Sequence, residues 1–365
     1  MLSEIGSNFW INPNEVLKNK PLGKPEQFGC KGNDFVWLST GRSAISYSIK
    51  TIEERNPGLE KKALLPPFTC HTVIEPFLNA GYEVFHYPVE GNLVASSDII
   101  LETAIEREVS TVLFHRYFGF DTFDKQLDKM CEFLRKLGKY TIEDCTQCLY
   151  SGFEKSSADF FVGSIRKWHG TPDGGFSVCR DYLFREKPLL TDRKLEKAKN
   201  DASYAKYRFL FGHEGDKTTF LHLYRIAEDI LIAQNRFYTI SKTSQELQSN
   251  LNVNHLKEQR RNNFNILLTG LANQKVVKPL FNKLDKDVVP LYFPLLTNNR
   301  SDLQVFLAKH NIYAPIVWPK ADCLGNICDQ ASYLYEHLLC IPIDQRYDID
   351  DMNRILETIN KFYKK

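Results

Sequence analysis

The chain has 365 residues, which is enough for about two domains of ordinary size. Lys and Arg total 47 and Asp and Glu total 45, so the net charge is +2. That near-balance argues against nucleic acid as the main partner, and no apolar run approaches the roughly 20 residues that cross a bilayer. The first ten residues lack the pattern of a secretory signal, and the nine cysteines are scattered. We therefore expect a soluble, cytoplasmic globular protein with no membrane partner, either an enzyme or a binding protein.

Short apolar runs alternate with amphipathic helical patterns through the first half of the chain. The runs predict strands at residues 62–67, 83–89, 110–115 and 140–144. The periodic segments predict helices at residues 43–56, 71–81, 97–109 and 121–138. We expect Asp121 to be the N-cap of the last of these helices. Strands that alternate with helices of this length are typical of βαβ units and a parallel sheet.

The second half of the chain has a different pattern. Residues 182–275 are mostly helical, and one long helix after about residue 245 is followed by short strands and helices. Ser301 and Gln304 have the spacing of a capping box, and a closing helix is predicted at 349–363. We therefore expect a large domain at 1–245 and a smaller α+β domain at 246–365.

The loop that leads into the first predicted helix has the residues of a phosphate-binding turn. Gly41, Arg42 and Ser43 open the helix, where free backbone N–H groups and the helix dipole suit an anion. Arg42 adds a positive charge. The alternative interpretation is an ordinary N-cap with a tolerated arginine.

Two further loops after predicted strands carry groups that are costly to bury or chemically reactive. Asp144 ends a buried strand, where a carboxylate needs a cation, a metal or hydrogen bonds; the alternative is a helix cap or a salt bridge. Lys167 precedes the pair Gly174-Gly175 and is a candidate amine nucleophile; the alternative is a solvated surface lysine.

A fourth loop, residues 66–71, holds two prolines, an aromatic residue, Cys70 and His71. Flat side chains here could lie on a ring ligand, and the alternative is a proline-led turn with a core histidine. A phosphate cradle, a strand-end Asp and a lysine 23 residues later are together the groups that pyridoxal phosphate requires.

In this order the motifs resemble the DegT-type aminotransferases, also called sugar aminotransferases, among the fold-type-I pyridoxal-phosphate enzymes. The matching segments are residues 40–45, 66–69, 113–119, 142–147, Lys167 with Gly174-Gly175, and residues 339–343. The resemblance covers nearly the whole chain. It implies an α/β fold in which the large domain has a mainly parallel central sheet flanked by helices. It also implies a smaller α+β C-terminal domain and a homodimer.

The resemblance implies a catalytic role for Lys167, which would hold pyridoxal 5'-phosphate as a Schiff base and carry the proton. Asp144 would pair with the pyridine nitrogen, and Gln147 would hydrogen-bond near the ring hydroxyl. The reaction would move an amino group from an amino acid, commonly glutamate, to a keto-sugar carried by a nucleotide. The other cofactor-binding residues implied are Gly41, Arg42, Ser43 and Ser164 at the phosphate, and Cys70 or His71 at the ring.

The sequence departs from the family pattern at several of these positions. Cys70 stands where the family usually has a ring-stacking aromatic residue, and His71 follows it. Arg42 replaces a small hydroxyl residue, and Arg166 and Trp168 flank the lysine. These changes leave the cofactor prediction intact and open the acceptor to a ketone other than a nucleotide-linked sugar.

Two alternative functions remain at this point. The fold could carry a lyase or dehydratase, since some relatives with histidine in place of the lysine dehydrate their substrates. It could also carry a non-catalytic sensor. Cys145 and Cys148 have a metal or redox spacing, but no second pair accompanies them, so we expect no metal. His115 is expected to be a core or interface histidine.

Overall fold

The computed structural model describes residues 3–14 and 17–364 as a mixed α/β structure. The strands are β1 Ile5–Gly6, β2 Asp34–Leu38, β3 Lys62–Leu65, β4 Glu83–His86, β5 Thr111–His115, β6 Tyr140–Asp144, β7 Phe160–Ser164, β8 Gly175–Cys179, β9 Lys278–Pro279, β10 Phe293–Leu296, β11 Ile312–Tyr313 and β12 Leu338–Ile341. The helices are α1 Gly41–Arg55, α2 His71–Asn79, α3 Ser97–Glu106, α4 Leu127–Lys136, α5 Arg193–Tyr207, α6 Lys217–Ile232, α7 Lys242–Asn250, α8 Val253–Leu271, α9 Arg300–Lys309, α10 Asp329–His337 and α11 Ile349–Tyr363.

The chain divides into two compact units. The first unit combines Met1–Ser7, Ile52–Asp159 and Asn252–Lys365, and the second combines Asn8–Thr51 and Phe160–Leu251. Both units are assembled from segments that are distant in sequence. The expected domains, at 1–245 and 246–365, were each one continuous stretch of chain. The two units do not test them, so that division stays a prediction.

Parallel strands in the order β6-β5-β3-β4 form the sheet of the first unit. Helices α2, α3 and α4 provide the crossovers that parallel strands need. All five residues of β5 are buried, as expected for a strand covered on both faces. The register places His115 opposite Asp144, at the carboxyl ends of β5 and β6. The predicted α/β architecture with a mainly parallel sheet is confirmed.

Antiparallel strands in the order β2-β8-β7 form the sheet of the second unit. Their register aligns three residues in one row across the strands, Leu38 of β2, Gly175 of β8 and Ser164 of β7. Helices α5 and α6 pack along each other in the same unit. The row matters because the chain leaves β2 and β7 there toward two of the predicted site segments.

The C-terminal segment of the first unit forms the antiparallel sheet β12-β10-β9. Helix α11 packs against α8 and α9. It buries Met352, Ile355 and Ile359, and the Asp348 carboxylate caps its first turn in a capping box. The predicted closing helix at 349–363 is confirmed.

Several predicted boundaries differ from the structure, and two of these differences have identifiable physical reasons. Strand β3 ends at Leu65, because the two prolines that follow cannot donate ladder hydrogen bonds. Helix α4 begins at Leu127, and Asp121 does not cap it, because its carboxylate accepts a hydrogen bond from Arg116 Nε at 2.7 Å. Helix α9 has Asn299 as its N-cap residue.

The capping box predicted for α9 is not formed. Gln304 Nε2 donates instead to the carbonyl oxygen of Ala314 at 2.9 Å. Local spacing could not reveal this partner, which lies beyond the end of the helix.

Among the residues described, no helix is both long and apolar enough to cross a membrane. The nine cysteines are all free thiols.

Candidate functional site

The row Leu38, Gly175 and Ser164 gathers three sequence-predicted segments in the second unit. The turn that opens α1 follows Leu38, and the segment that carries Lys167 follows Ser164. The glycine pair enters β8 between them. The register of one small sheet therefore places the predicted phosphate turn beside the predicted lysine segment.

The glycine pair lies against the backbone of the α1 turn. The Gly174 amide donates to the Ser39 carbonyl at 2.7 Å, and Gly174 has a φ of +125°, which side-chain-bearing residues rarely adopt. A Cβ on Gly175 would collide with the Thr40 carbonyl oxygen and lie 2.8 Å from the Gly41 amide nitrogen. Both positions therefore require glycine.

The turn at the start of α1 is an N-cap that leaves one amide available. Thr40 Oγ1 accepts a hydrogen bond from the Ser43 amide at 3.0 Å and lies 2.8 Å from Ser43 Oγ. The ordinary N-cap interpretation thus holds for Ser43, whose polar groups already bond Thr40. In the described part of the chain the Gly41 amide donates no hydrogen bond, so it remains free to meet an anion at the helix N-terminus. Arg42 donates from Nη2 to the Leu231 carbonyl at 2.7 Å, at the end of α6.

Lys167 ends a short 3-10 helix, Ile165–Lys167, directly after β7. The fully buried Trp168 follows it, and its amide closes the turn on the Ile165 carbonyl at 3.0 Å. Ser164 Oγ donates to the Gly174 carbonyl at 3.2 Å. Lys167 is half-buried, so it is not the solvated surface lysine of the alternative interpretation.

A buried carboxylate that the sequence analysis assigned no role anchors the glycine pair. Asp173 accepts hydrogen bonds from the Ser241 amide, from Ser241 Oγ at 2.8 Å and from Ser244 Oγ at 2.5 Å. Burial raises the pKa of Asp173 to about 6, although the serine hydrogen bonds act in the opposite direction. Its partners lie 68 and 71 residues further along the chain, so no local pattern could indicate them.

Asp144 lies at the carboxyl end of β6 in the first unit and is almost completely buried. Its Oδ1 accepts a hydrogen bond from the Thr146 amide at 2.8 Å, which shapes the turn after the strand. This is the turn-capping contact that the alternative interpretation expected. The position beyond a parallel strand is also where ligands bind in open α/β sheets.

Gln147 is buried in the same turn, and one of its two polar groups is used. Its Oε1 accepts from the Phe118 amide at 3.0 Å and supports Phe118 in a left-handed conformation with φ 55°. Across the described residues, Gln147 Nε2 makes no hydrogen bond. A buried amide with an unused donor suits a ligand oxygen.

Glu143, which precedes Asp144, is fully buried and fully bonded. One carboxylate oxygen pairs with the Arg116 guanidinium, and the other accepts from the Ser156 amide at 2.8 Å and Ser156 Oγ at 2.6 Å. Burial alone would raise the pKa of Glu143, but Arg116 and the hydrogen bonds lower it below its ordinary value. This network fixes the strand end from which Asp144 projects.

The ligand atoms of Glu143, Cys145 and Cys148 lie within 4.8 Å of one another, a spacing that a metal could use. Both Glu143 oxygens already accept hydrogen bonds, and Arg116 balances the charge. A hydrogen bond with Cys145, together with burial, raises the pKa of the Cys148 thiol well above its ordinary value. These surroundings therefore favour neutral thiols, whereas a metal ion would need thiolate ligands.

The two candidate ring-stacking residues lie at the start of α2. Cys70 is the N-cap residue, and its sulfur lies 3.1 Å from Thr72 Oγ1. His71 is exposed, with Nδ1 3.9 Å from Glu75 Oε2, so the core-histidine interpretation of this loop is wrong. The first helical position projects from the end of the helix, and the apolar face of α2 is formed by later residues.

His115 is the buried histidine of this region, as predicted. Its Nε2 lies 3.1 Å from Thr69 Oγ1, and its ring packs edge-on against Tyr117 and Trp318. The Tyr335 hydroxyl accepts from the Thr69 amide at 2.9 Å. Trp318 and Tyr335 come from the far end of the chain, which is why sequence spacing did not bring this aromatic cluster together.

Comparisons with known proteins reveal structural rather than sequence similarity. No family model matches the sequence, and no curated protein matches it. A DegT DnrJ EryC1 StrS aminotransferase from Brucella abortus is 15% identical over 95% of this chain and 92% of its own, with a TM-score of 0.63. PseC of Helicobacter pylori, an aminotransferase involved in the biosynthesis of pseudoaminic acid, is 13% identical over 99% of both chains, with a TM-score of 0.68.

A third solved structure, Spr1654 of Streptococcus pneumoniae in its PLP-form, is 14% identical over 93% of this chain and 92% of its own, with a TM-score of 0.63. At such identities the similarity establishes the fold. The chain has the fold of the DegT-type aminotransferases, as the sequence motifs predicted.

The close approach of the glycine pair predicts a large effect of one added methyl group. Gly175→Ala should lower the free energy of unfolding by about 2 kcal/mol or more. The reason is that the Thr40 backbone cannot move away from the new methyl group without disrupting the pairing of Leu38 with Gly175. Gly58→Ala is the matched control, since its Cβ would meet nothing within 4 Å, and should change stability by less than about 0.5 kcal/mol. Denaturant unfolding measures both; equal effects would contradict the proposed packing.

The raised pKa of Asp173 predicts a pH-dependent stability difference between the wild type and Asp173→Asn. The folded protein binds the proton up to about pH 6, while the unfolded chain releases it near its ordinary value of 3.8. The stabilisation is complete below the lower value and is lost as the pH rises to the higher one. From pH 7 to pH 4 the wild type should therefore gain about 2 kcal/mol relative to the variant, which is most of the roughly 3 kcal/mol that the full pKa difference allows. Chemical unfolding at a series of pH values measures the difference, and a constant difference would refute the assignment.

Proposed function

We propose that this chain is a pyridoxal-phosphate-dependent aminotransferase that moves an amino group from glutamate to a nucleotide-linked keto-sugar. The observation that carries the proposal is the row across the second unit's sheet, from which the α1 turn and the Lys167 segment leave the two strands that flank β8 and the glycine pair. The fold, shared with solved aminotransferases over more than nine-tenths of the chain, supports it.

The described residues offer groups that fit this cofactor. The available Gly41 amide and the α1 dipole suit its phosphate, the unused Nε2 of Gln147 suits its ring oxygen, and the strand-end Asp144 suits its pyridine nitrogen. When bound, the cofactor would supply an electron sink for the carbanion that amino-group transfer requires.

Each of these residues has a stated task in the proposal. Lys167 Nζ would hold the cofactor at its aldehyde and would carry the proton during transfer. Asp144 would keep the pyridine nitrogen protonated, and the buried pair Glu143 and Arg116 positions Asp144. Ser43 bonds Thr40 and so stabilises the α1 turn, and Ser164 bonds the Gly174 carbonyl and so holds the glycine pair. Both serines also have the phosphate-binding role that the resemblance implies.

The ring face is assigned to the start of α2, where Cys70 and His71 stand. Exposed His71 is a flat side chain whose ion-pair partner, Glu75, lies 3.9 Å away. It is therefore a better candidate than Cys70, whose sulfur already contacts Thr72.

We include a homodimer in the proposal, as the resemblance implies, and a cytoplasmic location, as the composition led us to expect. Exposed apolar side chains of the second unit support a protein-covered surface there. The most exposed of them are Leu183, Leu189, Leu190 and Ile232.

Lys167 should be the residue that borohydride links covalently to pyridoxal phosphate. After reduction and digestion, mass spectrometry should find the label on the Lys167 peptide of the wild type and of Lys194→Ala, an exposed-lysine control. Lys167→Ala should carry no label. A labelled Lys167→Ala protein would sink the assignment, because another amine would then hold the cofactor.

The loaded protein should convert glutamate to 2-oxoglutarate in an amount stoichiometric with the protein when no acceptor ketone is present. Transfer to a keto-sugar acceptor should then make the reaction catalytic, and Lys167→Ala should abolish both steps. Release of ammonia would favour the lyase or dehydratase instead. A loaded protein that acts on no amino acid would favour the sensor.

A further inference from the structure

Arg166 immediately precedes Lys167 and is half-buried. Over the described ranges its guanidinium makes no hydrogen bond and no ion pair, although Lys167 and Trp168 on its C-terminal side are both engaged. The buried polar atoms that lack a hydrogen-bond partner among the described residues include no guanidinium nitrogen of Arg166, so these nitrogens are open to solvent and to a ligand. Arg166 therefore offers a fork of up to five donors directly beside Lys167.

Arg166 also belongs to a group of cations around one carboxylate in the second unit. Glu228 of α6 forms an ion pair with Lys199 of α5. Arg42 bonds the Leu231 carbonyl one turn further along α6. We call Arg42, Arg166, Lys199 and Glu228 the cationic cluster.

The charges of the cationic cluster interact. Burial alone would raise the pKa of Glu228, but Arg166, Lys199 and Arg42 together lower it. Burial and then the like charge of Arg166 lower the pKa of Lys199. The cationic cluster itself carries three positive charges and one negative charge, whereas the whole chain is nearly neutral.

We propose that Arg166, backed by the positive field of Lys199 and Arg42, binds an oxyanion of the substrate next to Lys167. This inference rests on the proposed function and names what the acceptor or donor must carry: a carboxylate or a phosphate. Lys199 and Arg42 already have protein acceptors, so they contribute charge. Arg166 contributes the hydrogen bonds, because its planar fork matches two oxygens of either group.

The test uses the protein loaded with pyridoxal phosphate and two ligands that cannot react. Glutarate represents the carboxylates of an amino-acid donor, and UDP represents the phosphates of a nucleotide-linked acceptor. Calorimetric titration of each ligand gives an affinity that does not depend on turnover. Arg166→Ala should weaken binding of one of them about tenfold or more, and the ligand affected identifies the source of the oxyanion.

Two further variants separate this role from a structural one. Arg166→Lys keeps the charge without the fork and should recover part of the affinity. Arg193→Ala removes an exposed arginine at the start of α5 and should leave both affinities within about twofold of the wild type, since exposed charges contribute little. In turnover assays Arg166→Ala should raise the KM of the affected substrate more than it lowers kcat.

Unchanged affinity for both ligands in Arg166→Ala would overturn the inference, as would loss of the cofactor from this variant alone. A wild-type protein that holds no pyridoxal phosphate would instead contradict the proposed function, and this inference with it. Reductive labelling at Lys167 distinguishes the two failures, because it reports cofactor binding without any substrate.

Discussion

The second unit depends on one close approach between two backbones. Gly174 and Gly175 lie directly on the turn at Ser39 and Thr40, joined by a hydrogen bond of 2.7 Å, and no side chain larger than hydrogen fits between them. The same segment holds Ser164 through the Gly174 carbonyl. Because the two segments that carry the Gly41 amide and Lys167 both bond to the glycine pair, their separation is fixed by backbone geometry rather than by flexible side chains.

The buried carboxylates of this protein have hydrogen-bond or ion-pair partners within the protein. Glu143 meets Arg116 and both polar groups of Ser156, and Asp173 is held by two serines. These carboxylates are satisfied within the protein, which is what the cost of burying a charge requires. Structural charges of this kind hold strand ends and turns in place. Arg166 differs from these groups: it is only half-buried and makes no hydrogen bond or ion pair among the described residues, which is the reason to connect it with a ligand.

The sequence predicted features that repeat along the chain or follow from one residue type, and it missed those that depend on distant partners. Hydrophobic periodicity located the parallel strands of the first unit and α11, because burial on one face is recorded locally. It did not locate the start of α4, since Asp121 bonds Arg116 instead of capping. The role of Asp173 was equally hidden, as its serines follow about 70 residues later.

The departures from the family pattern are informative once the structure places them. Arg42 and Arg166 are 124 positions apart and each replaces a small or polar residue of the resembling motif, yet both act on the same carboxylate, Glu228. Arg42 and Lys199 both have acceptors within the protein, so we connect the half-buried Arg166 with a substrate anion. The positions at which this chain differs from the pattern thus define one local electrostatic feature, beside the lysine on which the proposed chemistry depends.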